Sequence, residues 1–319
     1  MPSQRAQNSP FALPLLRSEA GEPARLGRFV ACSRAMREVL AQIAALAASD
    51  LPVLIEGGPG SGKSLAARTL CDLGAWDALP RLELDASVPA ARFDEGLARV
   101  REAAYRGRST LILESIEILS TDRQRAVVRL LDELAVGEGM RLRLVTTSRR
   151  ELHAEVVRGR FRADLYYRLR GALLRIPSLA ERPDDLPILI DDLAKELGQR
   201  SGRGSVEVTR EARVALLGHP WSGNVRELSE RLEEAALQAQ GGRIDAADLT
   251  LPAAGVGPAP EGASDLKEYR RRQERALVLE ALESVRWNVS AAARGLGISR
   301  VGLSKKMKVL GLMRPASGE

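Results

Sequence analysis

Eight consecutive residues, Gly57-Gly58-Pro59-Gly60-Ser61-Gly62-Lys63-Ser64, fit the pattern G-x-x-x-x-G-K-[S/T]. They constrain the fold more than any other feature of the chain. An apolar, strand-like run at 53–55 precedes them and a helical pattern at 65–70 follows, the context this motif requires. The glycines let backbone N–H groups turn inward around a polyphosphate, and the following helix adds the partial positive charge of its N-terminus. Lys63 is placed to meet the β- and γ-phosphates and the Ser64 hydroxyl to hold Mg²⁺. Gly57, Gly58, Pro59, Gly60, Ser61, Gly62, Lys63 and Ser64 are therefore the expected cradle for ATP or ADP, with Mg²⁺ as second cofactor. A glycine-rich turn that only joins strand to helix is the competing reading, and the full match in context favours the phosphate cradle.

The rest of the chain predicts a matching architecture. Short apolar runs at 53–55, 82–84, 110–113, 142–145 and 173–176 read as buried strands. Helical patterns lie between them, such as Met36, Val39, Leu40 and Ile43 after Ser33, or Val127, Leu130, Leu131 and Leu134. Alternation of strands and helices predicts an α/β fold with a parallel sheet. After Pro177 the pattern turns helical. Residues 251–263, LPAAGVGPAPEGA, carry three prolines and three glycines and read as a linker. The expected organisation is a tail at 1–25, a nucleotide-binding α/β domain at 26–177 and a helical lid at 178–250. A linker at 251–264 and a small all-helical domain at 265–314 complete it. The short tail leaves no room for a sensory domain upstream.

Charge is distributed unevenly. The chain has 319 residues with 48 Lys+Arg and 42 Asp+Glu. Residues 265–314 hold twelve basic and five acidic side chains, so the whole positive excess lies in that stretch. Such asymmetry suits a nucleic-acid-binding end on a nearly neutral body, although a solvated basic helix face has the same composition. Aromatics at 3% argue against a single-strand reader that stacks bases. Two cysteines, Cys32 and Cys71, form no disulfide framework. No apolar run approaches the 18 residues of a membrane span, and a cytoplasmic protein is expected.

Three longer segments extend the argument: GRFRADLYYRL at 159–169, RIPSLAERPDDLPIL at 175–189 and HPWSGNVREL at 219–228. In this order they closely resemble the bacterial enhancer-binding proteins, the AAA+ activators of sigma-54 RNA polymerase. The resemblance covers about 26–249 and resumes near the C-terminus. It implies an AAA+ phosphate-loop domain, a helical lid and a helix-turn-helix of the Fis type. It also implies roles for single residues. Arg162 and Arg168 fall at the arginine fingers, which reach a neighbouring subunit's γ-phosphate and suit that role through a permanently charged planar fork. Arg226 falls at the lid's sensor-II arginine, and Val30 beside the adenine, where Ala31 departs from the family's Gly. Each arginine alone would read equally well as a surface ion pair.

The departures from the family carry as much information. The family's third strand ends in Asp-Glu, the Asp on Mg²⁺ and the Glu polarising water. Here Glu114 takes the Asp position, keeping a carboxylate for Mg²⁺, and Ser115 takes the Glu position. A serine hydroxyl is too weak a base to activate water near neutral pH, and losing a general base costs about 10²–10⁴-fold in rate. Strand alternation argues against Glu117 filling the gap. Arg149 falls where the family's sensor-I segment has a water-positioning Asn, and a guanidinium accepts no hydrogen bond. The interval 86–109 lacks the sigma-54-contacting G-A-F-T-G-A signature and reads as one helix and a turn. Position 64 is Glu in many members; Ser64 fits Mg²⁺ coordination better.

At the C-terminal end, residues 274–285 form an amphipathic helix, and residues 288–300 match a tight helical turn with Gly297 at the bend. Ser299 caps the next helix, whose Arg300, Val301, Ser304, Lys305 and Lys306 are the expected DNA-contacting residues on double-stranded DNA. A helical hairpin used only for dimerisation is the alternative.

Taken together, the sequence predicts a DNA-binding transcriptional regulator with an ATP-binding AAA+ domain, weak or absent hydrolysis and no dependence on sigma-54. It would form homo-oligomers, a dimer through the DNA-binding end and a higher AAA+ assembly, with RNA polymerase as a further candidate partner and no membrane. The alternatives are an active ATPase that remodels the sigma-54 holoenzyme, and a spacer domain that binds nothing.

Overall fold

The computed structural model describes residues 23–74, 79–136, 142–200, 206–239 and 242–251, and beyond them 282, 287–289, 292, 293, 303, 306 and 307. The chain forms two compact units, Met1–Gly255 and Val256–Glu319.

The first unit is built on a parallel sheet. Its strands are β3 (Val53–Glu56), β4 (Arg81–Asp85), β5 (Ser109–Glu114), β6 (Leu142–Ser148) and β7 (Ala172–Arg175). They lie in the order β4-β5-β6-β3-β7, every neighbouring pair parallel. All five coincide with the predicted apolar runs. Val53, Leu54 and Ile55 are fully buried, as a central strand covered on both faces requires.

Helix α1 (Arg34–Ala47) begins at Ser33, whose hydroxyl accepts the N–H of Met36, and it buries Met36, Val39, Leu40 and Ile43. Burying each such side chain fully contributes about 1.5–3 kcal/mol. Ahead of α1 a short antiparallel hairpin pairs β1 (Ala24–Leu26) with β2 (Phe29–Ala31). It takes in Ala24 and Arg25, two residues that the sequence reading leaves in the tail. Helix α2 (Lys63–Asp72) follows β3, and α3 (Ala90–Arg106) fills the interval between β4 and β5 as the predicted single helix, burying Phe93, Leu97, Val100 and Ala104. Helix α4 (Thr121–Val136) packs Val127, Leu130, Leu131 and Leu134 into the same core. Two short helices, α5 (Leu152–Val157) and α6 (Ala163–Leu169), lead into β7.

Beyond β7 the lid begins with two 3-10 turns, Leu179–Glu181 and Pro183–Asp185. It continues as α7 (Leu186–Arg200), α8 (Arg210–Leu217) and α9 (Asn224–Gln238), with a two-residue parallel pair, β8 (Glu207–Val208) and β9 (Arg243–Ile244). The lid has its own core, centred on Ile190, Leu216, Trp221, Leu228 and Leu232. Asp185 anchors it to the sheet domain: its carboxylate accepts the N–H groups of Cys32 and Ser33 at 2.6 Å and the Ser33 hydroxyl at 2.8 Å.

In the second unit, Leu282, Ala292, Ala293 and Leu303 are buried, in keeping with the apolar stripe and the close-packing alanines read from the sequence. The N–H of Ala292 donates to Asn288 O at 2.9 Å, one helical bond. Lys306 is exposed. Ser299, Arg300, Val301, Ser304 and Lys305 lie outside the described residues, as does the expected linker past Leu251. Among the described residues no helix is long and apolar enough to cross a membrane.

Candidate nucleotide site

The loop between β3 and α2 wraps a cleft of about 1020 Å³ between sheet domain and lid. That is the upper end of the range usual for small-molecule sites, roughly 300–1,000 Å³. Pro59, Gly60, Ser61, Gly62, Lys63 and Ser64 line it, together with Val30, Glu114, Ser115, Arg149, Arg182 and Arg226. Gly57 and Gly58 shape the loop from behind. A Cβ on Gly57 would stand 2.8 Å from Ile176 O. At Gly60, φ is +68° and a Cβ would lie 2.1 Å from Gly223 O, so only glycine lets loop and lid approach this closely.

Lys63 is buried and its ammonium donates to Gly58 O at 2.7 Å. Burial pushes its pKa down to about 8; the Glu117 and Glu114 carboxylates oppose the shift, while Arg149 and Arg226 reinforce it. A bound polyphosphate would bring further negative charge to this ammonium and offset the hydration that burial removes. Ser64 Oγ donates to Glu114 Oε2 at 2.9 Å, and Glu114 Oε1 is buried without a hydrogen-bond partner. That oxygen lies 3.9 Å from an Arg68 guanidinium nitrogen, and a hydroxyl and a carboxylate side by side fit a Mg²⁺ ion, which takes hard oxygen ligands.

The predicted site residues divide by position. Val30, Glu114 and Arg226 meet the loop at the cleft. Arg162 and Arg168 do not line it. Arg162 caps α6 and pairs with Asp164 at 2.6 Å, and Arg168 pairs with Asp132 at 2.6 Å. Both side chains remain more than a third exposed. Residues that act on a neighbour's nucleotide have to stand outside their own pocket, so this placement is compatible with the finger role and with plain surface pairs.

At the end of β5 the structure corrects the sequence reading. Strand alternation cannot govern Glu117, because the strand stops at Glu114. Ser115 adopts the left-handed conformation (φ 57°, ψ 40°) and a 3-10 turn, Ile116–Ile118, follows. The N–H of Ser115 donates to Thr147 Oγ1 at 3.2 Å, which fixes the turn against β6. Glu117 is thereby set beside the end of β6, where its Oε1 accepts Arg149 Nε at 2.9 Å. Its side chain is only 3% exposed. Arg149 is thus paired at the cleft rim.

Two further residues went unmarked in the sequence. Arg182, 2% exposed, donates to Ser61 O at 3.0 Å. Asn224, held at φ 57°, donates to Pro59 O at 2.8 Å and accepts the N–H of Leu179 at 2.6 Å. Both fasten the lid to the phosphate loop. Asn224 stands in the same segment, 219–228, that supplied Arg226.

Comparison with known proteins agrees with this architecture. Residues 30–179 match the sigma-54 interaction domain, 180–261 the AAA+ ATPase lid domain, and 269–310 the Fis family of bacterial regulatory proteins. The response regulator protein PilR of Pseudomonas aeruginosa is 33% identical over 94% of this chain and 74% of its own length. The transcriptional regulatory protein ZraR of Escherichia coli K12 is 32% identical over 86% of this chain and 67% of its own. Among solved structures, NtrX from Brucella abortus in complex with ATP superposes with a TM-score of 0.63 at 25% identity, covering 90% of this chain and 70% of that one. With a phosphate loop under a helical lid and a match to the Fis family further along the sequence, the chain belongs to the sigma-54-dependent transcriptional activator family, regulators that join an AAA+ domain to a DNA-binding helix-turn-helix.

Proposed function

We propose that this protein is a DNA-binding transcriptional regulator whose AAA+ domain binds ATP or ADP with Mg²⁺, hydrolyses ATP slowly and acts without remodelling sigma-54 polymerase. One observation carries the reading: at the end of β5, where the family has a water-polarising glutamate, Ser115 lines the cleft instead. Its backbone N–H is committed to Thr147 and its hydroxyl is no base near neutral pH. The single helix α3 between β4 and β5 supports the second half of the reading, since that interval carries no G-A-F-T-G-A signature.

In this reading Gly57 to Ser64 cradle the phosphates, Lys63 meets the β- and γ-phosphates, Arg226 faces the nucleotide from the lid and Val30 packs beside the base. Ser64 and Glu114 would hold Mg²⁺, which neutralises phosphate charge when bound. Arg162 and Arg168 would reach the nucleotide of a neighbouring subunit in an AAA+ assembly. Ser299, Arg300, Val301, Ser304, Lys305 and Lys306 would dock a dimer on paired half-sites of double-stranded DNA.

A steady-state ATPase assay tests the proposal. Turnover should fall well below about 1 s⁻¹, the low end of ordinary enzymes. Ser115→Glu should raise it at least tenfold, part of the roughly 10²–10⁴ that a general base contributes. Brisk turnover in the wild type, coupled to open-complex formation with sigma-54 polymerase, would instead establish an active remodelling ATPase.

A further inference from the structure

Besides the phosphate loop, the cleft is lined by the β1–β2 hairpin and by α7 of the lid, with Arg25, Arg28 and Val30 on one wall and Leu189, Asp192 and Glu196 on the other. Two ion pairs join these walls. Arg25 Nη2 donates to Asp192 Oδ1 at 2.9 Å, and Arg28 Nη2 donates to Glu196 Oε1 at 2.6 Å. The match is built into both elements. Asp192 and Glu196 stand four residues apart on α7 and so share one face of the helix. Arg25 and Arg28 flank the hairpin turn, where Gly27 takes φ +57°.

The lid is attached elsewhere in a different way. Asp185, immediately before α7, is fully buried and takes three donors from Cys32 and Ser33. Arg182 and Asn224, both buried, hold the phosphate loop. Stripping a buried charged group of its hydrogen bonds is costly, whereas an exposed ion pair contributes little. The Arg25 and Arg28 side chains are 53% and 71% exposed. Along a helix rising 1.5 Å per residue, Asp192 and Glu196 lie roughly 10 and 16 Å beyond Asp185. The lid is therefore fixed by buried contacts near the start of α7 and clasped by exposed charges further along. Such an arrangement opens at its exposed side first.

We propose that the pairs Arg25–Asp192 and Arg28–Glu196 form a clasp that gates nucleotide exchange, a role that rests on the proposal that this cleft binds ATP or ADP. The hairpin has to part from α7 for nucleotide to enter or leave. Because these four charged groups hold each other, the clasp governs rates. Weakening it speeds entry and departure together and leaves affinity nearly unchanged. Exchanging the two charges of one pair rebuilds the clasp in the opposite sense.

The test is a pulse-chase with the full chain, Mg²⁺ and radiolabelled ADP, a nucleotide that the site does not convert further. Departure is followed after a chase of unlabelled ADP, entry from the binding time course and affinity from equilibrium titration. The proteins compared are wild type, Arg28→Glu, Glu196→Arg, the double exchange Arg28→Glu with Glu196→Arg, and Arg25→Glu with Arg28→Glu. Each single reversal should raise both rate constants about threefold, the scale of one exposed ion pair turned into a repulsion, and keep affinity within about twofold of wild type. Reversing both arginines should raise the rates about tenfold, since the two pairs act on the same opening. The double exchange should bring both rates back to near the wild-type values. Single reversals with wild-type rates overturn the inference, and so does a double exchange that stays as fast as the single reversals. Faster departure with unchanged entry and a matching loss of affinity overturns it too, because the pairs would then support the bound state alone. If the reversals do not fold, Arg25→Gln with Arg28→Gln decides: both rates should rise, and unchanged rates overturn the inference. A wild type that binds no ADP would bring down the nucleotide-binding proposal itself, a separate result.

Discussion

The phosphate loop and the end of β5 touch through the hydrogen bond from Ser64 Oγ to Glu114 Oε2, yet they are equipped for different tasks. The loop carries the full G-x-x-x-x-G-K-[S/T] pattern, and the lid closes on it through Arg182 and Asn224. The strand end carries Glu114 and Ser115 with Arg149 beside them, and in the proposed reading these stand where the family has its Asp-Glu pair and sensor-I Asn. Gripping a polyphosphate needs fixed backbone donors and positive charge, which the first region supplies by geometry alone. Breaking it needs one base at one place, and a single substitution removes that. If the proposed function holds, the contrast teaches that binding and hydrolysis are separable in this fold, because they rest on different atoms.

The comparison can be broken most forcefully at Lys63. Lys63→Ala removes the buried ammonium that a phosphate would pair, and ATP affinity should fall about 100-fold, the upper range for a hydrogen bond to a charged group at about 3 kcal/mol. The measurement is the rise in melting temperature with ATP, which should vanish in the variant. Retained stabilisation would mean that the loop is not the phosphate site.

A second substitution sharpens the role of the lid. Asn224→Ala deletes the donor to Pro59 O and the acceptor for the Leu179 N–H. It leaves two backbone groups without partners, for about 1–3 kcal/mol of lost stability. Chemical denaturation should show that loss, and ATP should stabilise the variant less than the wild type.

The smallest effect concerns pH. Lys63 titrates near 8 in the free site, so it is charged below that value and neutral above it. If ATP binds the charged form, affinity should fall about threefold between pH 7.5 and 8.5, following the charged fraction. A flat profile across that interval would show that Lys63 does not pair with phosphate.

Much of this molecule was legible in its sequence. The central strands β3, β5 and β6 are legible as short apolar runs because they are buried on both faces, and the outer strands β4 and β7 through the buried Leu84 and Leu174. Helix α1 was fixed by its Ser33 cap and by Met36, Val39, Leu40 and Ile43 on one stripe. The β1–β2 hairpin was not legible, since three-residue strands are too short to show a period. Arg182, Asp185 and Asn224 escaped for another reason. Their partners, Ser61, Ser33 and Pro59, lie more than a hundred residues away in the chain, and no local pattern records such a contact. The position of Glu117 is not legible from strand alternation, because the strand ends at Glu114. A left-handed serine ended it, and a non-glycine residue in that conformation leaves no mark in sequence.

The central claim is that one cleft holds ATP firmly and breaks it slowly. Labelled ATP mixed with excess protein and Mg²⁺, then followed over time for both retention and conversion to ADP, measures both halves at once. The account predicts that the nucleotide stays bound and converts over minutes. Conversion within about a second, or a nucleotide that is never retained, would contradict it.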